Sequence, residues 1–214
     1  MRQHVNPLSQ FYQLPLSLPS KSILFKYSHY PIHIDVGSAK GEFLIELASI
    51  YPEWNFLGLD IRKTLVNSAE RKRKKLGLEN LKFLFCNVNV SLEEWLSDLD
   101  YDQLKRVSIQ FPDPWFKRKH FKRRVLKNSF INSIARYMSK DSELFIQSDI
   151  FKLIESMINI IDNSTFFERK EIGGVKWLNK NPYDVCTDRE CFVIRKNLPI
   201  YRAVYIRNRK SFSN

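Results

Sequence analysis

Residues 32–41 read Ile32-His33-Ile34-Asp35-Val36-Gly37-Ser38-Ala39-Lys40-Gly41 and run straight into Glu42-Phe43-Leu44-Ile45-Glu46-Leu47-Ala48. The apolar run at its head predicts a strand, and the apolar spacing after Gly41 predicts a helix ending near Tyr51-Pro52. Strand, glycine turn and helix in that order form a nucleotide-binding arrangement. Gly37 and Gly41 let the backbone approach a ligand closely, and the helix N-terminus offers free N–H groups. Asp35, at the strand end, faces that ligand.

Working outward, the same alternation continues. Strands are expected at residues 55–60, 81–86, 107–111 and 144–149, and helices at 64–76, 91–96, 125–138 and 151–161. Residues 165–169 and 201–207 are strand-like. Such alternation means an α/β fold with a doubly wound, mostly parallel sheet, in a single domain. Asp60 ends the second strand about twenty residues past the glycine turn, where the analogous dinucleotide fold binds ribose hydroxyls. Gly77 marks the stop of the helix that carries Arg71-Lys72-Arg73-Lys74-Lys75, a run read as solvated surface near a helix C-terminus. Ser91 to Glu94 has the spacing of a capping box, and Asn87-Val88-Asn89 ends the third strand. Residues 1–30 hold Pro7, Pro15 and Pro19 without periodicity and are expected as an irregular arm; residues 31–214 are expected as the domain proper.

The most informative stretch is Phe111-Pro112-Asp113-Pro114-Trp115-Phe116-Lys117-Arg118-Lys119-His120-Phe121-Lys122-Arg123-Arg124. Two prolines bracket Asp113 and hold it on a stiff corner past a strand end, where open α/β sheets bind ligands. Aromatic and cationic residues follow at once. A fixed carboxylate, an aromatic shelf and a basic run suit a site that holds a base and grips its phosphates. A proline turn followed by a solvated basic face is the plainer alternative.

Composition points the same way. The chain has 214 residues, with 35 Lys+Arg against 23 Asp+Glu and a formal charge of +12. A pI of about 9.6 suits a polyanionic partner, nucleic acid before an anionic membrane surface. No apolar run reaches the ~18 residues of a membrane span, and the N-terminus has no secretory h-region. Cys86, Cys186 and Cys191 are odd in number and lack zinc-ligand spacing, so no metal is expected and a reducing compartment is. His4, His29, His33 and His120 have no metal-ligand spacing either. Trp54, Trp95 and Trp177 read as packing residues, with Trp115 set apart by its position.

Asp35-Val36-Gly37 with Gly41, Gly58-Leu59-Asp60, Phe111-Pro112-Asp113-Pro114-Trp115 and Lys122-Arg123-Arg124 occur in an order that resembles the bacterial-type tRNA (guanine-N7)-methyltransferases over roughly residues 32–207. The resemblance implies the Rossmann-like class I methyltransferase fold, S-adenosylmethionine as cofactor and tRNA as partner, in a monomer or homodimer. It implies cofactor contacts at Asp35, Gly37, Gly41, Asp60, Asn87 and Asp113, with Asp113 also catalytic. It implies substrate contacts at Lys117, Asp149 and the Thr187-Asp188-Arg189-Glu190 motif, and RNA contacts along Lys119, His120, Phe121, Lys122, Arg123 and Arg124. Residue by residue, Asp149 is also open to an N-cap role and Thr187 to a turn role. Three positions depart from the family pattern. Ala39 replaces a middle glycine and is expected to keep the turn at negative φ. Phe116 replaces a frequent histidine, and Asp188-Arg189 replaces a commoner Lys-aromatic pair. The first eight residues are similar to the start of cyanobacterial and plastid members, which implies a cytoplasmic or plastid-stroma location.

The implied reaction is methyl transfer to N7 of a guanosine, position 46 in the variable loop. N7 carries its own lone pair, so no base must deprotonate it. The site's task is alignment, exclusion of water and stabilisation of the cationic product, with Asp113 or Glu190 at the guanine edge. A dinucleotide oxidoreductase would need a third glycine that this turn lacks. A non-catalytic RNA-binding protein would leave Asp35, Asp60 and Asp113, all at strand ends, unexplained.

Overall fold

Seven strands form one sheet in the order β3-β2-β1-β4-β5-β7-β6 in a computed structural model that describes residues 5–170 and 177–210. The strands are β1 (Ile32–Val36), β2 (Asn55–Asp60), β3 (Leu81–Phe85), β4 (Leu104–Gln110), β5 (Met138–Ser148), β6 (Phe167–Arg169) and β7 (Tyr201–Arg207). The first five run parallel, and β7 lies antiparallel between β5 and β6. Every residue of β1 and β2 is buried, as expected of parallel strands covered on both faces.

The helices are α1 (Gln10–Gln13), α2 (Lys21–Leu24), α3 (Glu42–Ile50), α4 (Lys63–Lys75), α5 (Val88–Leu96), α6 (Asn128–Tyr137), α7 (Phe151–Ser164) and α8 (Asp188–Arg195). On one face, side chains of β1, β4 and β5 such as Ile34, Val107 and Ile146 pack with α5, α6 and α7. On the other, Phe56, Phe83 and Phe145 pack with α3 and α4, together with Tyr183 and Val185. At Gly41 and Gly58 an added Cβ would lie 2.3 and 2.4 Å from the Phe83 ring, so these glycines admit the ring that seals strand against helix.

Several boundaries differ from the sequence reading. Helix α5 begins at Val88, not Ser91, because Asn87 caps it: Asn87 Oδ1 accepts from Asn89 N at 3.2 Å. Ser91 instead accepts from Leu16 N at 3.0 Å. Helix α6 hands over to β5 directly at Met138. A 3-10 helix, Arg118–Arg123, follows the proline corner. Within the N-terminal arm, residues 5–30 contain α1 and α2 and lie against the domain. Leu24 and Phe25 are buried, Trp95 Nε1 donates to Pro19 O at 2.9 Å, and Asn55 Nδ2 donates to Tyr27 O at 2.8 Å. Residues 1–4, and His4 with them, lie outside the described residues.

The parallel order reverses between β1 and β4. One chain segment leaves β1 toward α3 and the other leaves β4 toward the proline corner, so a crevice opens at their carboxyl ends.

Candidate active site

A cavity of about 610 Å³ occupies that crevice, a size suited to a cofactor-scale ligand. Asp35, Gly37, Gly41, Asp60, Asn87 and Asp113 all line it. They arrive from the ends of four parallel strands, which is why residues far apart in sequence converge here.

Asp35 is buried. Ser108 Oγ donates to its Oδ1 at 2.6 Å and Gln110 Nε2 to the same oxygen at 3.2 Å. Burial pushes its carboxyl up to about 6; the two hydrogen bonds pull it down, and the nearby Asp60 charge pushes it up again. Ser108 spends its proton on Asp35, so it accepts from His33 Nε2, 2.9 Å away. His33 is held neutral, pushed down to about 3 by burial and then by Arg106.

The glycine turn follows. Gly37 has φ +84 and open space where a side chain would stand. Ala39 is also left-handed, at φ 50, contrary to the negative φ expected of it. Its N–H donates to Asp60 Oδ2 at 3.0 Å, and this bond holds alanine where glycine would sit without strain of about 1 kcal/mol. Asp60 is gripped by Arg62, whose charge is stabilised first by that bond and also by Asp113. Asn87 meets the N-terminal arm: its Nδ2 donates to Pro7 O at 3.2 Å and to Tyr12 O at 3.0 Å. Val5 and Pro7 thereby reach the cavity wall.

Asp113 stands at the lip. Phe111 before it and Trp115 after it both adopt left-handed backbone, φ 47 and 45, in addition to the two prolines. Such conformations persist in non-glycine residues only where the surroundings enforce them. Here Phe111 N is tied to Gln147 O at 2.9 Å, and the Trp115 ring lies under Arg123 at 5.0 Å and against His120 at 5.8 Å. Arg124 turns inward as a brace, donating to Pro114 O at 3.0 Å and to Ser156 Oγ at 3.1 Å. Of the basic segment, Lys119, Phe121 and Lys122 are exposed, while Arg123 and Arg124 line the cavity. Lys117 and Phe116 are exposed, and neither lines it.

The late motif divides. Thr187 caps α8, its Oγ1 accepting from Glu190 N at 3.1 Å, and Thr187, Asp188 and Arg189 line the cavity. Arg189 pairs with Asp149, so Asp149 anchors α8 and does not cap α7, whose N-cap is Ile150. Glu190 points away, only 1% exposed. Its Oε1 accepts two bonds from Arg202, at 2.7 and 3.0 Å, and its Oε2 accepts from Asn181 at 2.9 Å and Gln147 at 3.0 Å. With four donors on it, Glu190 has no lone pair left for a ligand.

Sequence reasoning missed several wall residues. Arg62 had a signal, lying two positions after Asp60. Phe192 had another, one turn beyond Arg189 on the same helix; it is 42% exposed, lines the cavity and lies 5.2 Å from the Arg189 guanidinium. Val5 had none. Buried polar atoms without a partner concentrate here as well: Ser38 Oγ, Asn89 Oδ1, Arg123 Nε and Arg189 Nε all belong to cavity-lining residues. Such atoms call for a partner, water or ligand, and these four lie on the cavity's lining residues. Among the described residues no group of three or more His, Cys, Asp and Glu side chains is arranged to hold a metal, and no helix is long and apolar enough to cross a membrane.

Comparison with known proteins adds the chemistry. Residues 29–203 match a family described as "Putative methyltransferase". A tRNA (guanine-N(7)-)-methyltransferase of Prochlorococcus marinus (strain NATL1A) is 72% identical over 214 residues, 100% of both chains. One of Parasynechococcus marenigrum (strain WH8102) is 50% identical over 208 residues, 97% of this chain and 88% of that one. Among solved structures, the 16S rRNA methyltransferase KamB aligns with a TM-score of 0.57 at 13% identity, over 85% of this chain and 90% of that one. The aminoglycoside resistance methyltransferase NpmB1 aligns with a TM-score of 0.53 at 16% identity, over 87% and 90%. These two likenesses concern the fold.

Proposed function

The chain belongs to the tRNA (guanine-N7)-methyltransferase family, and on that premise we propose how its cavity divides the work of methylating a tRNA guanosine. The enzyme transfers a methyl group from S-adenosylmethionine to N7 of guanosine in tRNA. We assign the target to position 46 of the variable loop and the protein to the cytoplasm, on the strength of its cyanobacterial relatives.

The residues present fit the cofactor. Ser38 Oγ is an unpartnered polar atom inside the glycine turn, and the backbone at Gly37 faces open space. Asp35 would hold the cationic methionine end, Asp60 the ribose, and Asn87 with Pro7 and Val5 the adenine side. When bound, S-adenosylmethionine supplies an electrophilic methyl group on a sulfonium centre.

The chain's own part is placement. N7 of guanine needs no base, so alignment and exclusion of water dominate the rate. Asp113, fixed between two left-handed aromatics, faces the positive charge that grows on the alkylated ring and accepts from the guanine N1–H and 2-amino edge. Glu190 is withdrawn from that edge and supports α8. Phe192 offers the aromatic face that Arg189 cannot, so the base stacks on Phe192 while Arg189 and Arg123 approach phosphate. Lys119 and Lys122 extend the grip outward.

The observation that carries this reading is Asp113 on an enforced corner at the lip of the cavity that also holds Asp35 and Asp60. The test is transfer of radiolabelled methyl to unmodified tRNA, wild type beside Asp113→Ala, with aniline cleavage to locate N7-methylguanosine. Label mapping to N7 at position 46 and reduced about 10²-fold or more in the variant is expected. Label at another atom, or full activity without the carboxylate, overturns the assignment.

A further inference from the structure

Behind the cavity runs a line of buried hydrogen bonds that the reaction itself does not use. Gln110 Nε2 donates to Asp35, and Gln110 Oε1 accepts from Gln147 Nε2 at 2.7 Å. Gln147 Nε2 donates again, to Glu190 Oε2 at 3.0 Å. Glu190 in turn holds Arg202. The register of the sheet makes the line possible: Gln110 pairs with Gln147 across β4 and β5, and Gln147 with Arg202 across β5 and β7. The direction of every bond is dictated from the ends. An ionised Asp35 and an ionised Glu190 can only accept, so Gln110 must turn its amide nitrogen to Asp35, and Gln147 must give both its N–H groups away. Gln147 Oε1 is left without a partner at a fully buried position. A buried amide that leaves one atom unsatisfied is a poor choice for packing alone.

We propose that Gln147 is a positioning residue that couples the two halves of the site, fastening the α8 end that carries Thr187, Asp188 and Arg189 to the carboxylate at the methionine side of the cavity. The inference rests on the functional reading above. A cation held at Asp35 fixes the place of that carboxylate and, along the line of bonds, the place of both amides. With the amides fixed, Glu190 keeps its donor and α8 presents its first turn to RNA. With Asp35 unoccupied, its carboxylate and the Gln110 amide bonded to it are free to shift, and α8 is held less firmly. The cofactor and tRNA therefore bind with positive coupling, and the coupling passes through Gln147.

The experiment is filter binding of an unmodified tRNA transcript to the full chain, with and without saturating S-adenosylhomocysteine. Wild type, Gln147→Leu and the double variant Gln110→Leu/Gln147→Leu are compared; the double variant removes both amides and leaves neither orphaned against the other. Wild type should bind tRNA about tenfold tighter with the cofactor product present, a typical coupling. In both variants the ratio should fall to near one while each still binds both ligands. A ratio is insensitive to a uniform loss of stability, so a merely structural amide would leave it unchanged. An unchanged ratio in the variants, or a wild-type ratio of one, overturns the inference alone. Failure of wild type to bind either ligand overturns the functional reading and the inference with it.

Discussion

Arg62 grips Asp60 bidentately with one edge of its guanidinium, Nε 2.9 Å from Oδ1 and Nη2 2.7 Å from Oδ2. The backbone N–H groups of Arg62 and Ala39, at 2.8 and 3.0 Å, take the remaining acceptor positions of the carboxylate. On the proposed assignment, a ribose hydroxyl arriving at Asp60 must displace a donor, and the guanidinium is the one on a flexible stem. Arg62→Ala should therefore lower the stability of the free protein by about 2 kcal/mol, less than for a fully buried pair because Arg62 keeps an exposed flank. The same variant should bind S-adenosylhomocysteine more tightly, on the order of fivefold. Denaturation and calorimetry measure the two effects. Weaker binding, as expected of Asp60→Ala, would make Arg62 a direct ligand contact instead.

Asp35 carries a pH dependence with opposite signs for folding and for binding. Its carboxyl is raised from 3.8 to about 6, chiefly by burial, with Ser108, Gln110, Asp60 and the neutral His33 around it. The folded state holds this proton more tightly than the unfolded chain. Its contribution to stability is thus full below pH about 4 and lost as pH rises through about 6. Cofactor affinity moves the other way, because a cationic ligand binds the ionised form. Affinity should rise nearly tenfold per pH unit below 6 and level off above 7. Asp35→Asn should bind weakly with a flat profile; a flat wild-type profile would contradict the assignment.

Phe192 is exposed on the cavity wall, so its replacement should spare the fold. Phe192→Ala should raise the tRNA KM about tenfold, the scale of one missing base stack. S-adenosylhomocysteine affinity should not change, and Phe192→Trp should restore binding. Leucine in its place should not, since it offers bulk without a π face.

The outer basic residues predict a salt signature. Lys119→Ala/Lys122→Ala should shift the slope of log K against log salt toward zero by about 1.5, near 0.7–0.9 for each phosphate no longer neutralised. Arg124→Ala should instead destabilise the protein, because its guanidinium braces Pro114 O and Ser156. Equal salt effects from all three would erase that distinction.

The alternation of strands and helices and the cavity's acidic residues were legible because they depend on local pattern. β-branched runs, a glycine turn and Asp35, Asp60 and Asp113 at strand ends all lie within short windows. What stayed hidden depends on distant partners. Glu190 reads as a ligand until Arg202, Asn181 and Gln147 are seen to enclose it. Asn87 reads as a strand end and a cofactor contact, and its bonds to the arm's carbonyls and its cap on α5 show only in the fold. The left-handed φ of Ala39 follows from a bond to Asp60, twenty-one positions on. The capping-box spacing at Ser91 was a correct local preference overruled by a better cap four residues earlier.

The placement of β7 between β5 and β6 has a consequence for how the molecule is made. Translation delivers β7 after every other strand, yet it fills an interior place in the sheet. While the ribosome is still adding residues 170–200, the parallel half with its cofactor crevice already has all its strands, and β5 presents an open edge. Unpaired strand edges invite pairing with other chains. Arg202, the partner of Glu190, arrives on that last strand, so the parallel strands can be assembled before α8 is anchored. The α8 wall of the cavity is thus the last part of the site to be fastened, after the strands that carry Asp35, Asp60 and Asp113.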